Sequence, residues 1–180
     1  MSADFHALRA GWEAFALLAG TAGAVLAGLL FVGISFGARL VRRRGSMALL
    51  RAYSDPALLC FVLNVGLGAA LLMPSLSRTA FGGLTLLVGA LWTGYSLRVL
   101  GQQRAAGLVG WDLSDWLWYA LMPLATGLLL SLAGVTALTG APALALALTA
   151  AALVALLATG LRNTWDLVSY SVAHGASEAD

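Results

Sequence analysis

Within the long apolar stretches of this chain, polar side chains are few, and each admits a chemical reading. Asn64 is the one strongly polar amide near the middle of such a stretch. It can make an interhelical hydrogen bond worth about 1 kcal/mol, the commoner use, or it can touch a solute in a pathway. Thr85, Gly89, Thr93 and Ser96 form a hydroxyl-bearing stripe, a weaker signal because hydroxyls also bond their own helix. Asp112 and Asp115 stand three apart before an apolar run. They suit the positive end of a helix as caps, or they supply two oxygens to a cation site, too few for a closed calcium cage. Arg162 and Asp166, four apart, can pair on one helix face or pair with Asp112, Asp115, Arg98 or Arg104. Asn163, Asp166 and Tyr170 fall on a common polar stripe.

Catalytic constellations are not legible. Cys60 is the single cysteine, which excludes an internal disulfide and a CxxC metal site. His6 and His174 lie at the two ends of the chain, so intramembrane haem ligation and His-dependent nucleophilic catalysis have no residues to use. Asp112 and Asp115 share one turn, whereas aspartyl proteolysis needs carboxylates on facing helices. There is no Walker loop or dinucleotide fingerprint. The expectation is a protein without catalytic residues, resident metal or cofactor.

The solvent for these elements is stated by composition. The 180 residues are 61% hydrophobic and 10% charged, against roughly 25% charged in soluble domains, and mean hydropathy is +0.90. Such a chain cannot coat a globule with polar surface, but it can face lipid. A cytosolic enzyme, a secreted disulfide scaffold, a disordered linker and a nucleic-acid reader are excluded. The pI near 9.1 reflects a net charge of only +2, which is no footprint for nucleic acid.

Five stretches are long enough to span a bilayer, which takes about 20 apolar residues each. They run over about 13–37, 56–73, 79–97, 116–138 and 142–161, the last helix continuing to about 172 before a polar tail at 173–180. The second and third are short, so four spans plus a re-entrant segment is the alternative. Ser54-Asp55-Pro56 reads as a helix start with proline in the first turn. Gly140-Ala141-Pro142 reads as a tight helix–helix connection. Continuous rather than alternating apolar runs argue against a β-barrel. The first span is too long for a signal peptide, and its charges flank the wrong end.

All ten basic residues are arginine, and their placement sets orientation. Arg39, Arg42, Arg43, Arg44, Arg51, Arg98, Arg104 and Arg162 fall on one side of a five-span arrangement; Arg9 and Arg78 fall on the other. The positive-inside rule then places the N-terminus outside and the C-terminus in the cytoplasm of a bacterial inner membrane. Trp111, Trp116, Trp118 and Tyr119 form an aromatic belt at the cytoplasmic interface, where Arg98, Asp112, Asp115, Arg162 and Trp165 gather as a candidate docking or gating surface.

Helices in lipid associate through close backbone approach. Gly20, Ala24 and Gly28 in span one, and Ala147, Ala151 and Ala155 in the stripe Ala143–Thr159 of span five, are the expected packing faces. No internal repeat of the kind found in many secondary transporters is visible.

The segments GLLFVGIS (Gly28–Ser35) and LRNTWDLV (Leu161–Val168) resemble small bacterial five-span proteins described only as hypothetical membrane proteins. The resemblance covers about a tenth of the chain. It implies five spans and a significant Asn163–Asp166 turn, and no activity.

The expectation is an all-α integral membrane protein, a bundle of five transmembrane helices with the lipid bilayer as its main partner. A chain this small encloses little, which points to a homo-oligomer. The first functional expectation is a channel or small-solute conduit with Asn64, Thr93, Ser96, Asn163 and Asp166 near its path. The second is an accessory protein docking a larger membrane complex through its cytoplasmic face. The third is a binder of an apolar ligand between helices.

Overall fold

The computed structural model describes residues 5–41, 47–105 and 113–176. Among them every regular element is helical. The chain opens with a short α1 (Phe5–Ala10), followed by α2 (Glu13–Val41), α3 (Met47–Leu72) and α4 (Arg78–Ala105). A single turn, α5 (Leu113–Asp115), leads through a π-helical segment (Trp116–Leu121) into α6 (Met122–Leu138), and α7 (Pro142–Ala176) closes the fold. Five helical stretches are long and apolar enough to cross a membrane.

Spans two and three are full length. α3 has 26 residues and α4 has 28, about 39 and 42 Å at 1.5 Å per residue, so both exceed the hydrocarbon thickness. The re-entrant alternative falls away. The reading of Pro56 as a first-turn residue is also corrected, because α3 begins at Met47 and carries Pro56 inside it. A proline inside a helix forfeits one backbone hydrogen bond, and this helix continues through it. α7 runs to Ala176, past the expected end near 172 and into the segment read as a polar tail. Its 35 residues make about 52 Å, a length that a bilayer accommodates by tilt or by projection beyond the headgroups.

α7 is the central element. It packs against α3 and α6 and, less extensively, α2; α2 lies on α3, and α4 lies on α6. The lateral order is therefore α2, α3, α7, α6, α4. α3 meets the second half of the chain chiefly through α7. At one end of the bundle α1 folds inward. Phe5 is buried against Phe81 with ring centroids 5.5 Å apart, and the buried Arg9 donates through Nη1 to the Met73 carbonyl just past α3. A cation there complements the negative end of α3.

Local sequence explains the boundaries. Ser77 accepts from the Ala80 amide at 3.1 Å and so caps α4. α6 ends in a Schellman arrangement: Gly140 has φ +99°, and the Ala141 amide bonds Thr136 O at 2.8 Å. The π turn precedes Pro123, which has no N–H to offer Tyr119 O. There the Met122 N–H reaches five residues back, to Leu117 O, the pattern of a π-bulge. Asp115 has helical dihedrals (φ −64°, ψ −43°) and does not cap that turn with its side chain; Asp112 lies outside the described residues.

The expected small-residue faces are partly misplaced. Ala24, Gly28, Ala147 and Ala151 all face outward, Ala155 is half-buried, and Gly20 is in contact. A four-residue spacing drifts about 40° per step around a helix of 3.6 residues per turn. Ala143 is therefore exposed at one end of its stripe while Thr159 is buried at the other. The real contact faces advance by threes and fours: Ala16, Ala19 and Gly23 on α2; Ala145, Thr149, Ala152, Leu156, Thr159 and Asn163 on α7.

Candidate functional site

Among the described residues, α3 and α7 carry the buried polar side chains of Asn64, Thr149, Thr159 and Asn163. Asn64 on α3 is 0% exposed, and its Nδ2 donates to the Leu153 carbonyl of α7 at 2.7 Å. This is the interhelical bond anticipated from its position, and it leaves Asn64 Oδ1 buried with no hydrogen-bond partner. One face of α7 continues the pattern. Thr159 is 2% exposed and Asn163 4%, and Thr159 Oγ1 and Asn163 Oδ1 are also buried without a partner. Four residues apart, they sit one above the other on the helix.

Thr159, like Thr93 on α4, departs from the habit of most helical threonines described. Thr85, Thr126, Thr136, Thr149 and Thr164 each bond the carbonyl four residues back, at 2.8–2.9 Å, as hydroxyls in lipid generally do. Thr159 makes no such bond. A buried polar atom left unmet costs about 1–3 kcal/mol, and Asn64, Thr159 and Asn163 each carry one.

Two close contacts, one from α7 and one from α2, frame α3 here. Phe61, one turn before Asn64, is fully buried with its ring edge over Gly160, where a Cβ would stand 2.6 Å from Cε1. Gly23 of α2 closes the other side of Asn64, with space for a Cβ only 3.1 Å from the Asn64 Cβ. Phe61 therefore occupies the height between the Asn64 and Asn163 levels.

Toward the end of α7 the polar line meets charge. Asp166 is half-buried and accepts from the Tyr119 hydroxyl at 2.5 Å. Arg162 Nε lies 3.2 Å from the same oxygen, an ion pair not aligned as a hydrogen bond. The π turn contributes Tyr119 to this cluster. Sequence reading placed Tyr119 only in an aromatic belt and left the partner of Asp166 open.

Other expected positions lie apart. Ser96 Oγ bonds Trp92 O at 2.8 Å within its own helix. Thr93 belongs to the α4–α6 seam, its hydroxyl pressed on Gly127. Arg98 is exposed, and Trp165 is 64% exposed on the outer side of α7. Asp115 is half-buried beside the π turn. Arg104 and Tyr170 have side chains outside the described set. Among the described residues no group of His, Cys, Asp and Glu gathers as a metal site.

The arrangement offers hydrogen-bond acceptors in series: Asn64, Thr159 and Asn163 inside the bundle, then the carboxylate of Asp166 at its edge. No protein-family model, curated protein or solved structure matches the chain.

Proposed function

We propose that the protein is a conduit for a small solute, with the path following the α3–α7 seam and opening at the Tyr119–Asp166–Arg162 cluster. The observation that supports this reading is the run of buried, unpartnered oxygens on Asn64, Thr159 and Asn163. Polar groups kept at membrane depth without structural partners are the usual lining of solute pathways. The path belongs within each protomer, since Asn64, Thr159 and Asn163 face inward. Self-association is part of the reading, because 18.5 kDa of helix leaves little to screen the seam from lipid. The orientation is N-terminus outside and C-terminus cytoplasmic, in a bacterial inner membrane, on the arginine distribution.

Purified protein in liposomes tests this directly. Light-scattering and ion-flux assays across monovalent salts and small neutral solutes are expected to give flux above the lipid background. That flux falls to background in Asn64→Leu/Thr159→Val. Silence of the wild type across the panel sinks the reading.

A second reading, docking on a larger membrane complex, is favoured by the exposed Trp165, Trp116 and Leu113 at the same end of the bundle. It requires co-purification of a defined membrane complex that Trp165→Ala abolishes.

A further inference from the structure

The end of the bundle away from the Tyr119–Asp166–Arg162 cluster carries α1. Its six residues are too few to hold a helix alone, since isolated helices shorter than about 12 residues are marginal in water. α1 is therefore helical because of where it docks, and its contacts reach three elements. Phe5, 7% exposed, lies on Phe81 of α4. Arg9, 5% exposed, donates to the Met73 carbonyl just past α3. The helix also touches α7. α3 and α7 run antiparallel, with Phe61 beside Gly160 and Asn64 bonded to Leu153, so the end of α3 lies by the start of α7. α1 straddles that end of their seam.

The dock is held by opposing terms. Burial of the Phe5 ring favours it. Burial of the Arg9 guanidinium opposes it through lost hydration: among the described residues no carboxylate pairs with Arg9, and its Nε is buried without a partner. The joint is Gly11, exposed between α1 and α2. Beyond it Trp12 is fixed edge-on to Phe15, with ring centroids 5.9 Å apart, and packed on the core. Rotation at Gly11 lifts α1 and leaves α2 in place.

We infer that α1 is a lid on the Met73 end of the α3–α7 seam, swinging about Gly11 between the docked state and one in which Arg9 is hydrated. The inference rests on the conduit reading for what the lid closes, but its movement is measured separately from flux.

The test uses the full chain in proteoliposomes on a Cys60→Ala background. Ala145→Cys reports on the covered end, because Ala145 is fully buried in the first turn of α7, in the same apolar cluster as Phe5. Ala57→Cys, equally buried toward the far end of α3, is the control. Modification by a membrane-impermeant maleimide is timed from the N-terminal side. Phe5→Ala, or deletion of Phe5–Ala10, is expected to speed reaction at Ala145→Cys by at least about tenfold, the factor for a minor state of about 10% or less becoming dominant. Ala57→Cys stays protected. If the deletion does not fold, Phe5→Ala alone carries the comparison. An unchanged rate at Ala145→Cys overturns the inference. Equal acceleration at Ala57→Cys also overturns it, since α1 is then a strap whose loss loosens the whole bundle. Faster labelling with no liposome flux in any variant keeps the lid and removes the conduit. Wild-type flux that neither change in α1 raises keeps the conduit and removes the lid.

Discussion

The α4–α6 seam and the α3–α7 seam each join two long helices through small residues, yet they differ in what meets across them: backbone on backbone in the first, side chain on backbone in the second. Between α4 and α6, Gly82, Leu86, Gly89 and Thr93 face Leu138, Gly134, Ser131 and Gly127 in antiparallel order. Backbone lies on backbone: a Cβ at Gly89 would stand 2.5 Å from the Ser131 nitrogen and 2.8 Å from Gly127 O. The hydroxyls of Thr85 and Ser96 bond their own helix, and Trp92 Nε1 donates across to Pro123 O at 3.0 Å. Between α3 and α7 the contact is made by side chains, and three oxygens go unmet. Lipid gives helices no hydrophobic reason to associate, so close packing and hydrogen bonds must do it. The first seam uses both, with Thr93 Oγ1 left unmet. The second leaves more oxygens unmet, on Asn64, Thr159 and Asn163.

This contrast can be broken by substitution. The largest effect is expected at Gly89→Ala, where the obstructing atoms are backbone and cannot rotate away. The loss is about 3 kcal/mol or more, beyond the usual range for overpacking, read as a lowered unfolding midpoint in mixed micelles or loss of monodispersity. Gly160→Ala is expected to cost less, about 1–3 kcal/mol, because the obstruction is the Phe61 ring edge. Adding Phe61→Leu restores at least half of that loss; no recovery would mean that the notch at Gly160 serves some other contact. The smallest effect on stability is expected for Thr159→Val, neutral or stabilising by up to about 1 kcal/mol, since it removes an unmet polar group without changing shape. That same variant is expected to lower liposome flux. A destabilisation by 2 kcal/mol or more (about thirtyfold in the unfolding constant) would mean that the hydroxyl is structural.

Much of the architecture was legible in the residues. Apolar run lengths predicted five helices, and Gly140 and Pro142 mark ends where the structure has them. The short spans were underestimated because arginine, glutamine and Pro56 interrupt hydropathy without ending the helix. The packing faces were misread for a geometric reason: spacing of four drifts around the helix, whereas Gly82 with Gly89 and Gly127 with Gly134 repeat at seven and stay in line. That heptad spacing was present in the sequence and would have found the α4–α6 seam. α1 was missed, since six residues with Phe5 and Arg9 buried give no span-length signal. Of the site, Asn64, Asn163 and Asp166 stood out as polar residues in apolar surroundings. Its remaining parts did not: Tyr119 reaches Asp166 from 47 residues away, and a threonine that declines its own carbonyl looks like any other threonine in one dimension.

The most direct test of a wet α3–α7 seam is thiol labelling in membranes, on a Cys60→Ala background. Thr159→Cys and Asn163→Cys report on that seam, and Leu130→Cys and Ala133→Cys report on equally buried positions of α6. Small, membrane-impermeant cationic thiosulfonates applied from the Arg162 end are predicted to modify the first pair and spare the second. Four silent positions, or four that react at one rate, would contradict the account.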